Sequence, residues 1–310
     1  MKLRSAIVAL AMLGGACAST PDAGPAHPLF QHWIDGTEAN EPLTQLQVYN
    51  ADTYVIRQSV KTNFEAPFLY LLFGKDRALL LDTGAGGMKI RPEVDAAIQR
   101  WLTAHHRKSI PLVVAHSHGH GDHIAGDAEF KDRPDTTLVG SHAPEVAAFF
   151  HITDWPNQIV KFDLGGRVLD IIPTPGHQPA HIMIYDERTR LLLSGDSLYP
   201  GRLYVPTNLF ADYRASIDRV AAFTRTHPIS HILGAHIEMT TTPKRDLADM
   251  AKTHPDEHVL ELPPAALIEL QTALHGTGDK VVRDVRDDFI VYPDPIRVLT
   301  PADVVPPASH

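Results

Sequence analysis

Residues His116 to His123, reading HSHGHGDH, set out the chemistry this chain could perform. The frame His-x-His-x-Asp-His is filled by His118, His120, Asp122 and His123. In extended backbone, positions two apart project to the same side, so His118 and His120 can converge on one cation. Asp122 and His123 are adjacent and must diverge, which suits a second cation beside the first. Gly119 and Gly121 lie between these donors, where the missing β-carbon permits tight or left-handed backbone. Three further donors each follow an apolar run. His177 sits in PTPGHQPAH after Val168–Ile172, Asp196 in LLLSGDSLY after Leu191–Leu193, and His236 in HILGAHIE after Ile232–Leu233. Every donor is a nitrogen or a carboxylate oxygen. That set suits Zn²⁺, and Mn²⁺ or Fe²⁺ suit the same atoms.

Such donors need elements that bring them to one place. The loop follows Leu112–Ala115, which is too short and too flanked by polar residues to be a helix and reads as a strand. Upstream, Gln47–Tyr49 and Tyr54–Ile56 read as strands, and Phe68–Phe73 with Ala78–Leu81 as a hairpin turning at Gly74-Lys75-Asp76. Pro92 to Arg107 is the clearest helix, with Val94, Ala97, Ile98, Trp101 and Leu102 at helical spacing. Ser141–Phe150 reads as a second helix, Arg167–Ile172 as a strand, and Ile182–Tyr185 with Leu191–Leu193 as another hairpin. A helix starting at Asp212 as N-cap runs to Thr226. After Glu238, Thr240–Pro255 is polar, Pro264–Leu274 looks helical and Asp288–Val291 looks like a strand. This divides the chain into an extended arm over residues 19–42, a principal domain over 43–240, and an appendage over 241–310 packed on the core.

The series His-x-His-x-Asp-His, Pro-Gly-His, Gly-Asp and a late His resembles the metallo-β-lactamase-fold hydrolase superfamily. The resemblance runs from about Thr53 to Glu238, and every metal position is filled. It implies a four-layer αβ/βα sandwich of the α/β class, with metals at one sheet edge. It also implies a ligand set: His118, His120 and His177 on a first metal, Asp122, His123 and His236 on a second, and Asp196 bridging the two. Asp82, which closes the run Ala78–Leu81, is implied as the residue supporting the metal loop. Two Zn²⁺ ions per chain would make a bridging hydroxide available near neutral pH for attack on an ester, thioester or lactone carbonyl. Asp122 and Tyr199 are the further catalytic candidates. Tyr199 lies three residues beyond Asp196, where lactonases and glyoxalase II enzymes place an aromatic residue; its hydroxyl could donate to a substrate carbonyl, or its ring could be core. Arg202 and Tyr204 are candidate substrate contacts, and His116 and His181 read as packing or hydrogen-bonding residues. The Gly195-Asp196 pair favours ester, thioester and lactone hydrolases over true metallo-β-lactamases, most of which lack a bridging carboxylate. The alternative is an exported metallo-β-lactamase of the subclass without a cysteine ligand, which this chain resembles around Asp196-Ser197-Leu198. A non-catalytic zinc-binding module would ordinarily have lost ligands.

Composition narrows the partners. A net charge of −9 over 310 residues argues against a nucleic-acid surface, which needs a basic face. The chain is long enough to bury a sizeable core. Lys2 and Arg4 precede the apolar run Ala6–Leu13, and small residues follow to Ala18, the pattern of a secretory signal at residues 1–18 and too short to span a membrane. That predicts a periplasmic or secreted protein acting on a small molecule, or a lipoprotein anchored at Cys17. Cys17 is the only cysteine, so no disulfide is expected in the mature chain.

Overall fold

The computed structural model describes residues 28–305; the signal segment, Cys17 and the first part of the arm lie outside the described residues. In chain order, β1 (Thr44–Asn50), β2 (Thr53–Gln58), β3 (Phe68–Phe73), β4 (Ala78–Leu81), β5 (Leu112–Ala115) and β6 (Thr136–Leu138) form one six-stranded sheet in that order. The first four pair antiparallel, then β4–β5 and β5–β6 pair parallel. The β4–β5 crossover is helix α1 (Arg91–Ala104), as a parallel connection requires. A four-residue helix, α2 (Gly121–Ile124), and α3 (Ala143–Phe150) follow β5 and β6.

The second half repeats the plan. Strands β7 (Val160–Asp163), β8 (Val168–Pro173), β9 (Ile182–Asp186) and β10 (Leu191–Gly195) are antiparallel. Strand β11 (Arg202–Pro206) then leaves the sheet, and helix α4 (Phe210–Thr224) leads back to β12 (His231–Gly234), parallel to β10. Strand β13 (Glu261–Leu262) pairs with β12, so the second sheet runs β13-β12-β10-β9-β8-β7. Helix α5 (Ala265–Gly276) and strands β14 (Asp284–Val285) and β15 (Ile290–Asp294) complete the chain, with a small sheet ordered β11-β15-β14.

The layering follows from period-two alternation in strands buried on both faces. Phe68, Tyr70 and Leu72 of β3 meet Ile182, Ile184, Leu191 and Leu193 of the second sheet in a central core. Their alternates Leu69, Leu71 and Phe73 face α1, where Trp101 stacks on Phe73 at 4.6 Å between ring centres. Met183, Tyr185 and Leu192 face the other way, against Tyr213, Ile217 and Val220 of α4 and Leu267, Leu270 and Leu274 of α5. Helix, sheet, sheet, helix: this is the αβ/βα sandwich. Among the described residues, no helix is long and apolar enough to cross a membrane.

Several expectations need correction. The first helix ends at Ala104 rather than Arg107, because His106 turns to φ +53°. Asp212 is not an N-cap: a 3₁₀ turn at Thr207–Leu209 runs straight into α4, which starts at Phe210 and leaves Asp212 in its first turn. There it still faces the positive end of the helix dipole. The later strand begins at Ile290, not Asp288. Strands β6, β7 and β11 and helix α2 were not legible, being short or half-polar. The arm is irregular from residue 28 to 42 but not loose, since Phe30 and Trp33 are buried and Trp33 meets Phe68 edge-on at 5.0 Å.

Candidate metal centre

The parallel strands β4 and β5 end side by side, and their first loop residues lock together. Asp82, buried and at φ +70°, accepts the Ser117 backbone N–H at 2.7 Å and the Ser117 hydroxyl at 2.9 Å. Ser117 in turn accepts the Ile182 N–H of the second sheet at 2.8 Å. The loop is therefore fixed to both sheets before any donor is placed. Of the tight or left-handed backbone that these glycines permit, neither Gly119 nor Gly121 takes the left-handed form. Gly119 is needed for space: a β-carbon there would lie 2.6 Å from the Ser141 carbonyl oxygen. Gly121 opens α2, whose helical twist, rather than an extended chain, separates Asp122 from His123.

Two donor groups result, His118 with His120 and His177, and Asp122 with His123, Asp196 and His236. In the first, His120 Nδ1 lies 2.9 Å from His118 Nε2 and 3.0 Å from His177 Nε2. His177 donates its Nδ1–H to the Tyr204 carbonyl at 2.7 Å, which turns the Nε2 lone pair inward. In the second, His123 donates Nδ1–H to Asp82 at 2.9 Å and His236 donates Nδ1–H to the Glu65 carbonyl at 2.8 Å. Their Nε2 atoms then lie 3.0 and 3.3 Å from Asp122 Oδ2. Asp196 stands between the groups. Its Oδ2 is 3.5 Å from His177, 3.8 Å from His118 and 3.4 Å from His123, while Oδ1 is 3.4 Å from His236.

Asp196 is set by its neighbours. Its backbone N–H donates to His181 Nε2 at 3.2 Å, and His181 holds Thr174 at 2.7 Å through Nδ1. Gly195, at φ +51°, must be glycine, because a β-carbon would meet His181 and Ser117 at 2.8 Å. His181 thus supports the site, as one of its expected roles. His116 is buried with its Nε2 3.2 Å from Asp127, behind the loop.

The donor set fits divalent cations. Asp196 Oδ1 is sealed from solvent yet accepts no hydrogen bond, with His236 Nε2 3.4 Å away, and on the Oδ2 side three imidazole nitrogens converge on one another. Such buried acceptors are costly unless something positive satisfies them. Burial and the neighbouring His123 hold His118 well below the usual imidazole range, and burial with His177 pushes His120 down to about 3. Burial pushes the Asp196 carboxyl up, but His123, His236 and His118 outweigh it and keep the group ionised. His123 and His236 go the other way: burial disfavours their charge, yet Asp122 and Asp196 raise both well above the ordinary value. A cation in the second group would displace those protons.

Tyr199 does not face this site with its hydroxyl. It is buried, its O–H is engaged by the Arg202 carbonyl and by Glu238, and only its ring approaches His236, at 5.6 Å. The core reading fits, and the substrate-donor role expected for it does not. Arg202 is also committed, to Glu238 at 3.0 Å and Asp246 at 3.1 Å. Sequence reasoning missed Glu65 and Tyr204 as partners of the histidines, because each acts through a backbone carbonyl that carries no residue signature. It also missed Arg297, whose Nη1 lies 3.1 Å from His120 Nε2 although 177 residues separate them.

Residues 63–226 match the family model described as the Metallo-beta-lactamase superfamily. Over 121 residues the chain is 31% identical to a hydroxyacylglutathione hydrolase of Rhizobium meliloti (strain 1021), covering 38% of this chain and 44% of that protein. It is 23% identical over 207 residues to the acyl-coenzyme A thioesterase MBLAC2 of Gallus gallus, covering 55% of this chain and 72% of that one. The match thus spans under half the length of the bacterial relative. Among solved structures, the metallo-beta-lactamase FIM-1 from Pseudomonas aeruginosa aligns at TM-score 0.49 and 15% identity, over 77% of this chain and 97% of that one. With the family model spanning more than half of its residues, the chain belongs to the metallo-beta-lactamase superfamily.

Proposed function

We propose that the chain is a dinuclear, zinc-dependent hydrolase of ester, thioester or lactone carbonyls. The observation that carries this is Asp196, whose two oxygens face both donor groups at once. His118, His120 and His177 would hold one ion, Asp122, His123 and His236 the other. When bound there, two such cations would supply a water acidic enough to ionise near neutral pH and a Lewis acid for the carbonyl, so no serine or cysteine nucleophile would be required. The chain's own part is positional. Asp82, Tyr204 and Glu65 fix the tautomers of His123, His177 and His236. Asp122 turns Oδ2 towards His123 and His236, at 3.0 and 3.3 Å, and would act as a ligand of the second ion.

The relatives named for hydroxyacylglutathione and acyl-coenzyme A hydrolysis support thioesters as the first substrates to try. The β-lactamase alternative rests on the likeness at Asp196-Ser197-Leu198. Purified protein assayed with and without chelator on thioester, lactone, aryl-ester and β-lactam substrates separates the two readings. Chelator-sensitive turnover of the first three classes is expected, and efficient turnover of a β-lactam alone would reverse the order. Elemental analysis should return two equivalents of metal; one or fewer after zinc supply would count against a paired site. Residues 1–18 support export as part of the same proposal. A mature start near Ser19 is expected in mass spectra, an acylated Cys17 would make it a lipoprotein, and an intact cytoplasmic Met1 would rule out both.

A further inference from the structure

After β15 the chain runs on to bring Arg297 beside His120. Asn208 pins this strap: its side chain accepts the Arg297 N–H at 2.9 Å and donates to the Arg297 carbonyl at 3.0 Å. Downstream, Asp303 accepts the Thr300 N–H and hydroxyl, both at 2.8 Å, and a 3₁₀ turn at Pro301–Asp303 packs beside α3. Between these anchors the Arg297 side chain reaches His120.

The contact is chemically incomplete. Arg297 is a permanent cation with five N–H donors and no acceptor. Nη2 makes one long contact, 3.4 Å to Asp303 Oδ1, and Nη1 lies 3.1 Å from His120 Nε2. Nε is sealed from solvent with no partner at all. His120 turns Nδ1 towards His118 and His177, so a neutral ring that offers Nδ1 to a cation carries its proton on Nε2. Arg297 and His120 then present donors to one another. Two donors this close call for an oxygen acceptor bound by both, and a negative one offsets the guanidinium.

The geometry points to Arg297 and His120 Nε2–H as the recognition site for an anionic oxygen group of the substrate, a carboxylate, set outside the reacting carbonyl. Arg297 is here a specificity-determining residue. The inference rests on the metal-dependent hydrolase reading, and it names the substrate class that reading leaves open. His120 lies within the residues matched by the family model, and Arg297 lies beyond them.

The test compares zinc-loaded wild type, Arg297→Ala and Arg297→Lys on two thioesters that differ only in ending in a carboxylate or in its methyl ester. Calorimetry with the matching non-hydrolysable thioethers, acid and methyl ester, runs alongside. Arg297→Ala should raise KM for the acid about 10- to 100-fold with kcat little changed, and leave the methyl ester unaffected. Arg297→Lys should recover part of the difference, because it keeps the charge but loses the planar fork. The thioether acid should lose affinity by the same factor. Equal effects on acid and methyl ester, or none on either, would overturn the proposal. If wild type hydrolyses neither thioester, the hydrolase reading fails for this class, and the calorimetric comparison still decides Arg297. Unchanged zinc content in each variant shows that the metal donors have not moved.

Discussion

Asp196 is the residue on which the proposed chemistry turns, and its removal separates the two metal positions. Without it the second group keeps Asp122, His123 and His236, while the first keeps three converging histidines. Asp196→Ala should therefore lower bound metal from two equivalents towards one, and lower kcat by about two orders of magnitude or more. Metal content and turnover measured on one preparation check this; two tight ions with near-normal turnover would remove Asp196 from the site. The seven side chains that gather in the two groups could be picked out because metal chemistry restricts residue type and the loops follow apolar runs. What supports them was mostly not legible. Ser117, Thr174 and the carbonyls of Glu65 and Tyr204 act by position alone. Tyr199 shows the opposite error, a suggestive spacing whose hydroxyl the fold uses elsewhere.

At the scale of elements, the apolar runs buried on both faces were read with little error, since burial writes them as continuous hydrophobic sequence. Strand β11 was missed because Arg202 and Tyr204 break its apolar pattern, and its partner β15 lies some 90 residues on. One pair ties this tail region down. His258 Nε2 approaches Asp288 Oδ1 at 3.3 Å, linking the approach to β13 with the β14–β15 turn. Burial disfavours the His258 charge, but the bond to Asp288 outweighs it and raises the imidazole above its ordinary 6.5. The same bond, against a smaller opposing effect of burial, lowers Asp288 below its ordinary 3.8. A raised histidine stabilises fully below its unfolded pKa and loses that contribution as pH rises through the folded value; a lowered aspartate loses its contribution as pH falls. The pair thus stabilises between the two and fades on the alkaline side. The denaturation midpoint should fall from pH 6 to pH 8.5 by more in wild type than in Asp288→Asn, and an identical fall in both would show that the pair contributes nothing.

At the scale of the whole molecule, residues 241–305 are tied into the sandwich by long-range contacts. Glu257 reaches back 200 positions to Arg57 in a doubly hydrogen-bonded pair, with both side chains almost wholly buried. His254 adds a bond to Glu257 at 2.9 Å, and Arg57 lies over the Phe68 ring. Glu257→Ala strands that guanidinium in the core and should cost about 3–5 kcal/mol in denaturant unfolding. Replacing Arg57 and Glu257 together by leucine should cost much less; equal losses would mean that packing, not charge, is at stake. Strand β13 has a further consequence. Only two residues long, it is what stops β12 from being the outermost strand of the second sheet. A chain cut after residue 240 would offer the backbone of Ile232 and Leu233 to any passing strand, and would bare the apolar face that α5 covers. Such a fragment keeps every metal donor yet should elute as soluble aggregate or precipitate, whereas a monodisperse monomer on size exclusion would show the edge to be harmless.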